Sequence, residues 1–266
     1  MAFEIKGKIV LVTGASGGIG RATAQAFAKE GAKVALAARN EQELLQTQKL
    51  IADAGGKAGV FPLDLSKASE ISQMVKRAEQ ELGSVDVLVN NAAYGAIGLV
   101  EDCPLEQYRK NFEVNFFAVI ALIQAVLPGM KQKRSGQVIN VSSGVGRRAL
   151  PGVSSYSATK FALNGLTESL RVEMKPFGID VILISPGRVE TRFHERTEHF
   201  GKLKFQMPVI KMRTPDKIAE MILDASRNRK REAEVWGPGK IGHYLNFFAP
   251  ALVDFLVARR FPTEVK

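Results

Sequence analysis

The chain has 266 residues, 45% of them hydrophobic and 24% charged, and a formal charge of +10 at pH 7; this is globular composition, with length for one large domain or two small ones. A single cysteine, Cys103, excludes an internal disulfide and a cysteine-based metal cluster. No signal peptide is read at the start and no run of about 18 uninterrupted apolar residues occurs, so a cytoplasmic protein without a membrane span is expected.

Basic clusters at Lys131-Gln-Lys-Arg134 and Arg227-Asn-Arg-Lys-Arg231 read as solvated helix ends. A basic protein favours anionic ligands or an anionic membrane surface. With no helix-turn-helix, finger or aromatic-basic platform, nucleic acid is not an expected partner.

In chain order, Lys8–Val12 is a short apolar strand, followed at once by Thr13-Gly-Ala-Ser-Gly-Gly-Ile-Gly20 and a helical pattern that ends at Gly31. Strand, glycine-rich turn and helix make a phosphate-binding geometry: backbone N–H groups approach the anion and the helix N-terminus adds partial positive charge. The glycines at 14, 18 and 20 do not make G-x-G-x-x-G, and no Gly-Lys-Ser/Thr follows, so a Walker A loop is excluded. The second strand, Lys33–Ala38, ends at Arg39. An acidic residue there would select NAD, whereas an arginine suits the 2′-phosphate of NADP; the competing reading is a solvated loop residue.

A helix is expected over 41–54, closed by Gly55-Gly56, then a strand over 58–63 with Asp64-Leu65 at its end. Ser66 is expected to cap a helix that runs to Leu82, with Glu70 near the capping-box position. The strand Val85–Val89 ends in Asn90-Asn-Ala-Ala93, and Pro104 precedes a long helix to about Pro128. Asn115 lies in the middle of that helix, where asparagine is a mediocre residue.

The strand Gly136–Val141 runs into Ser142 and Ser143; Tyr156 and Lys160 follow, on a helix with apolar spacing to Lys175. Positions i and i+4 share a helix face, so the phenol and the ammonium are neighbours. A nearby positive charge favours the phenolate. With a hydroxyl at the strand end, these are parts for moving a proton to or from an alcohol or carbonyl oxygen. Alone, Tyr-x-x-x-Lys also reads as a core aromatic beside a solvated lysine.

A strand over 179–184 ends in Ser185-Pro-Gly187. Residues 188–213 lack periodicity and carry scattered apolar residues, including Phe193, Phe200, Leu203, Phe205 and Met207; loops this long tend to be functional lids. Thr214-Pro-Asp216 opens a helix to about Arg229, and 233–236 is a last strand. The alternation predicts an α/β fold: a doubly wound, parallel, seven-stranded Rossmann-type sheet in one domain over 1–238, with a helical extension over 239–266. Every residue singled out lies at a strand's C-terminal end or on the helix that follows, where such sheets bind ligands.

From about Lys6 to Trp236 the chain resembles the short-chain dehydrogenase/reductase family. Thr13-Gly-x-x-x-Gly-x-Gly20, Asn90-Asn-Ala, Asn115, Ser143, Tyr156-x-x-x-Lys160, Pro186-Gly187 and Thr191 match its motifs in order and spacing. The resemblance implies hydride transfer between NADPH and a carbonyl or alcohol. Tyr156 would be the general acid or base, Lys160 would lower the tyrosine pKa and bind the nicotinamide ribose, Ser143 would hold the carbonyl oxygen, and Asn115 would order a relay water. Cofactor contacts are implied at Gly14, Ser16, Gly17, Ile19, Arg39, Asp64, Leu65, Asn91, Val189 and Thr191, besides Tyr156 and Lys160. Two positions depart from the pattern: Ala93 replaces a usual glycine, and Gly17 replaces the basic residue of many NADP-preferring members. The second leaves Arg39 to hold the 2′-phosphate largely alone. The family also implies a homo-oligomer.

In the extension, 240–248 and 250–260 read as two short helices with Leu245, Phe248, Leu252, Phe255 and Leu256 near one face. Three readings stand: a docked pair covering the cleft or a subunit contact, an interfacial membrane anchor beside Arg259-Arg260, and a lid working with Phe193, Phe200 and Phe205. Lid and anchor both point to an apolar substrate. Two further functions compete with the enzyme: a cofactor-binding scaffold or sensor without turnover, and a membrane-surface binding module.

Overall fold

The computed structural model describes residues 2–193, 195, 197–201, 212–235 and 238–260. Strands β1 (Ile9–Thr13), β2 (Lys33–Ala38), β3 (Lys57–Pro62), β4 (Val87–Asn90), β6 (Gly136–Val141), β7 (Ile179–Ser185) and β9 (Glu232–Glu234) form one sheet in the order β3-β2-β1-β4-β6-β7-β9. All its pairings are parallel. The central strands β1, β4 and β6 are buried along their whole length, as continuous apolar runs require when helices cover both faces.

Alternate residues of each strand feed two cores. Ile9 and Leu11 join α3 (Ala68–Leu82), α5 (Ala118–Lys133) and α6 (Ser154–Met174) through Ile71, Leu122 and Leu163. Val10 and Val12 join α1 (Gly18–Lys29), α2 (Glu41–Asp53) and α7 (Pro215–Arg227) through Phe27, Leu44 and Ile222. The strand order reverses between β1 and β4, which opens a crevice at their C-terminal ends.

Three local expectations need correction. Ser66 does not cap α3: Lys67 holds the cap position without a side-chain bond, and Ser66 donates its N–H and hydroxyl to Asp64 instead. Pro128 does not end its helix, which runs on to Lys133 and closes at Arg134 in the left-handed conformation. The proline lies on the exposed side, so the Gln124 carbonyl that loses its helical donor faces water. Nor is that helix regular: α4 (Leu105–Phe112) passes into a π-turn, Glu113–Phe117, before α5. The run Leu105–Lys133 is long and apolar enough to cross a membrane, its most apolar 18-residue window having a mean hydropathy of 1.7, but its Leu122, Val126 and Met130 are buried in the core.

The aperiodic loop also carries a pairing that alternation does not announce. β5 (Ala96–Ile97) and β8 (Glu198–His199) form a small parallel sheet. Beyond β9, α8 (Pro238–Phe248) and α9 (Pro250–Arg260) lie close to their expected bounds. Leu203, Phe205, Met207 and Trp236 lie outside the described residues.

Candidate functional site

The β1–α1 turn is shaped by backbone demands. Gly14 has φ +68°, and a Cβ there would sit 2.8 Å from Asn91 Nδ2; at Gly20 a Cβ would lie 2.2 Å from the Gly14 carbonyl oxygen. Thr13 joins the two strand ends: its Oγ1 donates to Val89 O at 3.2 Å and accepts from the N–H groups of Asn91 and Ala92 at 3.0 and 3.1 Å. Asn91 Nδ2 donates back to Thr13 O at 2.9 Å. At the start of α1, Gly17 is the N-cap, no side chain caps the helix and its first turn holds no acid. Those orphan N–H groups and the dipole fit a phosphate, and the donor set fits the dinucleotide expected there.

Ser16, Gly17, Ile19, Arg39, Asp64, Leu65, Asn91, Val189 and Thr191 all line one cleft of roughly 1820 Å³ with Gly14, Tyr156 and Lys160. Burial pushes the Asp64 carboxyl up, but hydrogen bonds from Ser66 and the charge of Arg39 prevail and hold it below the ordinary value. Across the mouth, Arg192 pairs with Glu43 Oε1 at 2.8 Å. Its Nη2 lies 3.5 Å from where a Cβ on Gly17 would be.

At the inner end, Ser143 hydrogen-bonds the Tyr156 phenol. Lys160 is 2% exposed and donates Nζ to Val141 O at 2.9 Å. Its ammonium approaches the ring of Tyr156, 5.5 Å from the centroid, and burial brings its pKa down from 10.5 to about 8. The expected lowering of the tyrosine pKa is not what the structure gives. Burial pushes the phenol up, with the Ser143 bond working the other way.

Asn115 is held by several hydrogen bonds. Its Oδ1 accepts from Tyr94 N at 2.8 Å, and its Nδ2 donates to Tyr94 O at 2.8 Å and Thr159 Oγ1 at 3.1 Å. The side chain therefore ties the loop after β4 to α6. The residue lies within the π-turn Glu113–Phe117, where the i→i−4 ladder is disturbed.

The family profile described as short chain dehydrogenase matches residues 8–200. The protein belongs to the short-chain dehydrogenase/reductase family. A Drosophila melanogaster relative, dehydrogenase/reductase SDR family protein 7-like, is 33% identical over 97% of this chain and 81% of its own. The 3-dehydrosphinganine reductase of Danio rerio is 37% identical over 71% of this chain and 58% of its own. A metagenomic short-chain oxidoreductase solved in complex with NADP superposes with a TM-score of 0.74 and 30% identity, over 88% of this chain and 98% of the other.

In this short-chain dehydrogenase/reductase the cleft wall beyond Tyr156 is apolar. Ile97, Leu150, Val153 and Phe193 line it together with Leu245, Val253, Leu256 and Val257 of the extension. The rings of Phe193 and Tyr156 lie tilted at 5.5 Å, whereas Phe200 packs on Gly98 and does not itself line the cleft; Phe205 lies outside the described residues. Arg148 holds Asp254 at 2.6 Å and tethers α9. Sequence reasoning missed Tyr94, Arg148, Arg192 and Val253. None stands in a periodic or motif position, although Arg192 directly follows the motif threonine.

Proposed function

We propose that the protein is an NADPH-dependent reductase of an apolar ketone or aldehyde. The observation that carries this reading is the shared cleft. A tyrosine, hydrogen-bonded by Ser143 and flanked by a buried lysine, faces an apolar chamber at one end, while an uncapped helix N-terminus and Arg39 lie at the other. When bound, the nicotinamide supplies the hydride. Tyr156, kept protonated by burial, gives its proton to the substrate oxygen as negative charge develops there. Ser143 donates to the same oxygen and orients it. Lys160 stabilises the phenolate left behind and binds the nicotinamide ribose, and the Asn115 backbone leads a proton back through water.

Gly14, Ser16, Gly17 and Ile19 take the pyrophosphate, Asp64 and Leu65 border the adenine, Asn91 and Val189 line the dinucleotide, and Thr191 meets the carboxamide. The relative named as a 3-dehydrosphinganine reductase points the same way, to a ketone. The test is NADPH oxidation over a panel of ketones and aldehydes of increasing chain length, for wild type and Tyr156→Phe. Turnover that rises with chain length and is lost in the variant supports the reading. NADPH binding without turnover on any substrate would make the protein a cofactor-binding scaffold or sensor.

A second property is favoured by the extension. Phe247 and Phe248 are 77% and 80% exposed, with Ile241, Tyr244 and Phe255 exposed beside them. Such an apolar face on a protein of charge +10 suits the surface of an anionic bilayer, and we assign it peripheral membrane contact at the cytoplasmic side. A homo-oligomer through the long helices is favoured by Phe117 and Phe161, half-exposed on α5's approach and on α6.

A further inference from the structure

Gly17 leaves the phosphate turn without the cation that a longer residue would bring, and the structure brings one from elsewhere. The guanidinium of Arg192 lies over the turn, with Nη2 3.5 Å from the place a Gly17 Cβ would take. It is held there from the far side. Glu43, in the first turn of α2, accepts from Nη2 at 2.8 Å; the carboxylate side chain is 14% exposed and the arginine 54%. The neighbouring Thr191 also lies against the turn, its methyl 3.0 Å from the Cβ position of Gly18. Gly17, Arg39, Asn40 and Arg192 line the same cleft.

We propose that Arg192 supplies the charge that Gly17 lacks and contacts the 2′-phosphate of NADP(H), so that Arg192 and Arg39 together set the preference over NAD(H). The inference rests on the NADPH reading above and names a specificity residue for it. Anchoring by Glu43 is what directs the arginine to the 2′-phosphate. Glu43 belongs to the helix that begins two residues after Arg39, at the end of β2 where the adenosine ribose lies in this fold. The α1 N-terminus already provides donors for the pyrophosphate. A guanidinium carries five N–H donors in a plane, more than one carboxylate oxygen uses, and matches phosphate geometry.

The experiment is fluorescence titration of the full-length protein with NADPH and NADH, for wild type, Arg192→Met, Arg192→Lys and Arg39→Ala. Arg192 stands on an exposed loop, and an unchanged melting temperature of the unliganded variants checks the fold. Arg192→Met is expected to weaken NADPH by about tenfold or more and leave NADH within about twofold, because a charge-assisted phosphate contact is lost. Arg192→Lys is expected to recover part of the loss. NADPH and NADH weakened equally, or neither weakened, overturns the proposal. Failure of the NADPH reading looks different: wild type then binds NADH as tightly as NADPH, and both statements fall. If wild type prefers NADPH and only Arg39→Ala removes that preference, this proposal alone fails.

Discussion

Lys160 donates its ammonium to the backbone carbonyl of Val141, at 2.9 Å, and not to the phenol that neighbours it on the helix. Its burial carries a consequence for stability. The folded protein holds this proton with a pKa of about 8 against 10.5 for the free side chain. Between those values the unfolded chain binds more protons, so stability rises with pH. Below pH 8 the penalty is about 3 kcal/mol. Lys160→Met removes it but leaves the Val141 carbonyl unpartnered, which offsets about 1–2 kcal/mol. Urea denaturation at pH 7 should show the inactive variant more stable by about 1–2 kcal/mol. Its stability should also lose the rise between pH 8 and 10 that wild type shows.

The same two groups set the pH dependence of turnover. Burial keeps the Tyr156 phenol protonated through neutrality, which suits it to donate in the reductive direction. Lys160 loses its charge as pH rises through about 8. Ketone reduction, followed as kcat/KM, should be level below that value and fall above it, whereas alcohol oxidation should rise with pH. Tyr156→Phe should lower kcat by about 10²–10⁴-fold, the usual size of a positioned proton donor, with NADPH affinity nearly unchanged. A variant that keeps wild-type turnover would remove Tyr156 from the chemistry.

The pattern of strands and helices was legible because most buried strands are largely apolar runs and most turns carry glycine or asparagine. Val87–Asn90, for instance, leads straight into Asn91. The motif residues could be placed for the same reason: the switch point gathers strand ends, so Ser143 and Gly14 had to line one cleft. Ionisation was not legible, since it depends on what surrounds a side chain in space. Spacing puts Lys160 beside Tyr156 but does not reveal that Val141 takes its hydrogen bond. Similarly, helical spacing grouped Phe248 and Phe255 with Leu245, whereas the buried contact is made by Val253. Arg192 came from a loop without period, so only coordinates bring it to Gly17.

Asn115 should matter more for folding than for direct chemistry. It is 1% exposed and bridges the Tyr94 backbone to Thr159 across three elements. Replacement by alanine strands a buried N–H and C=O, with an expected loss of about 2–4 kcal/mol in urea denaturation. If stability is unchanged while turnover collapses, the asparagine side chain acts on the reaction itself.

The two faces of the extension can be separated by substitution. Leu245 and Leu256 line the cleft from α8 and α9, whereas Phe247 and Phe248 point outward. Burying one methylene is worth about 0.8 kcal/mol, so a long-chain substrate that loses two or three such contacts should bind roughly fifteenfold to sixtyfold less tightly. The pair Leu245→Ser and Leu256→Ser should therefore raise KM for long-chain ketones by about that factor and leave small ketones unaffected. Phe247→Ser with Phe248→Ser should do the reverse: steady-state constants in solution stay as they are, while co-sedimentation with vesicles containing anionic phospholipid is lost. Wild type that fails to sediment with such vesicles and instead elutes as a dimer, reduced to a monomer by the phenylalanine changes, would show that a second copy covers this face. The lid argument would then stand without the membrane.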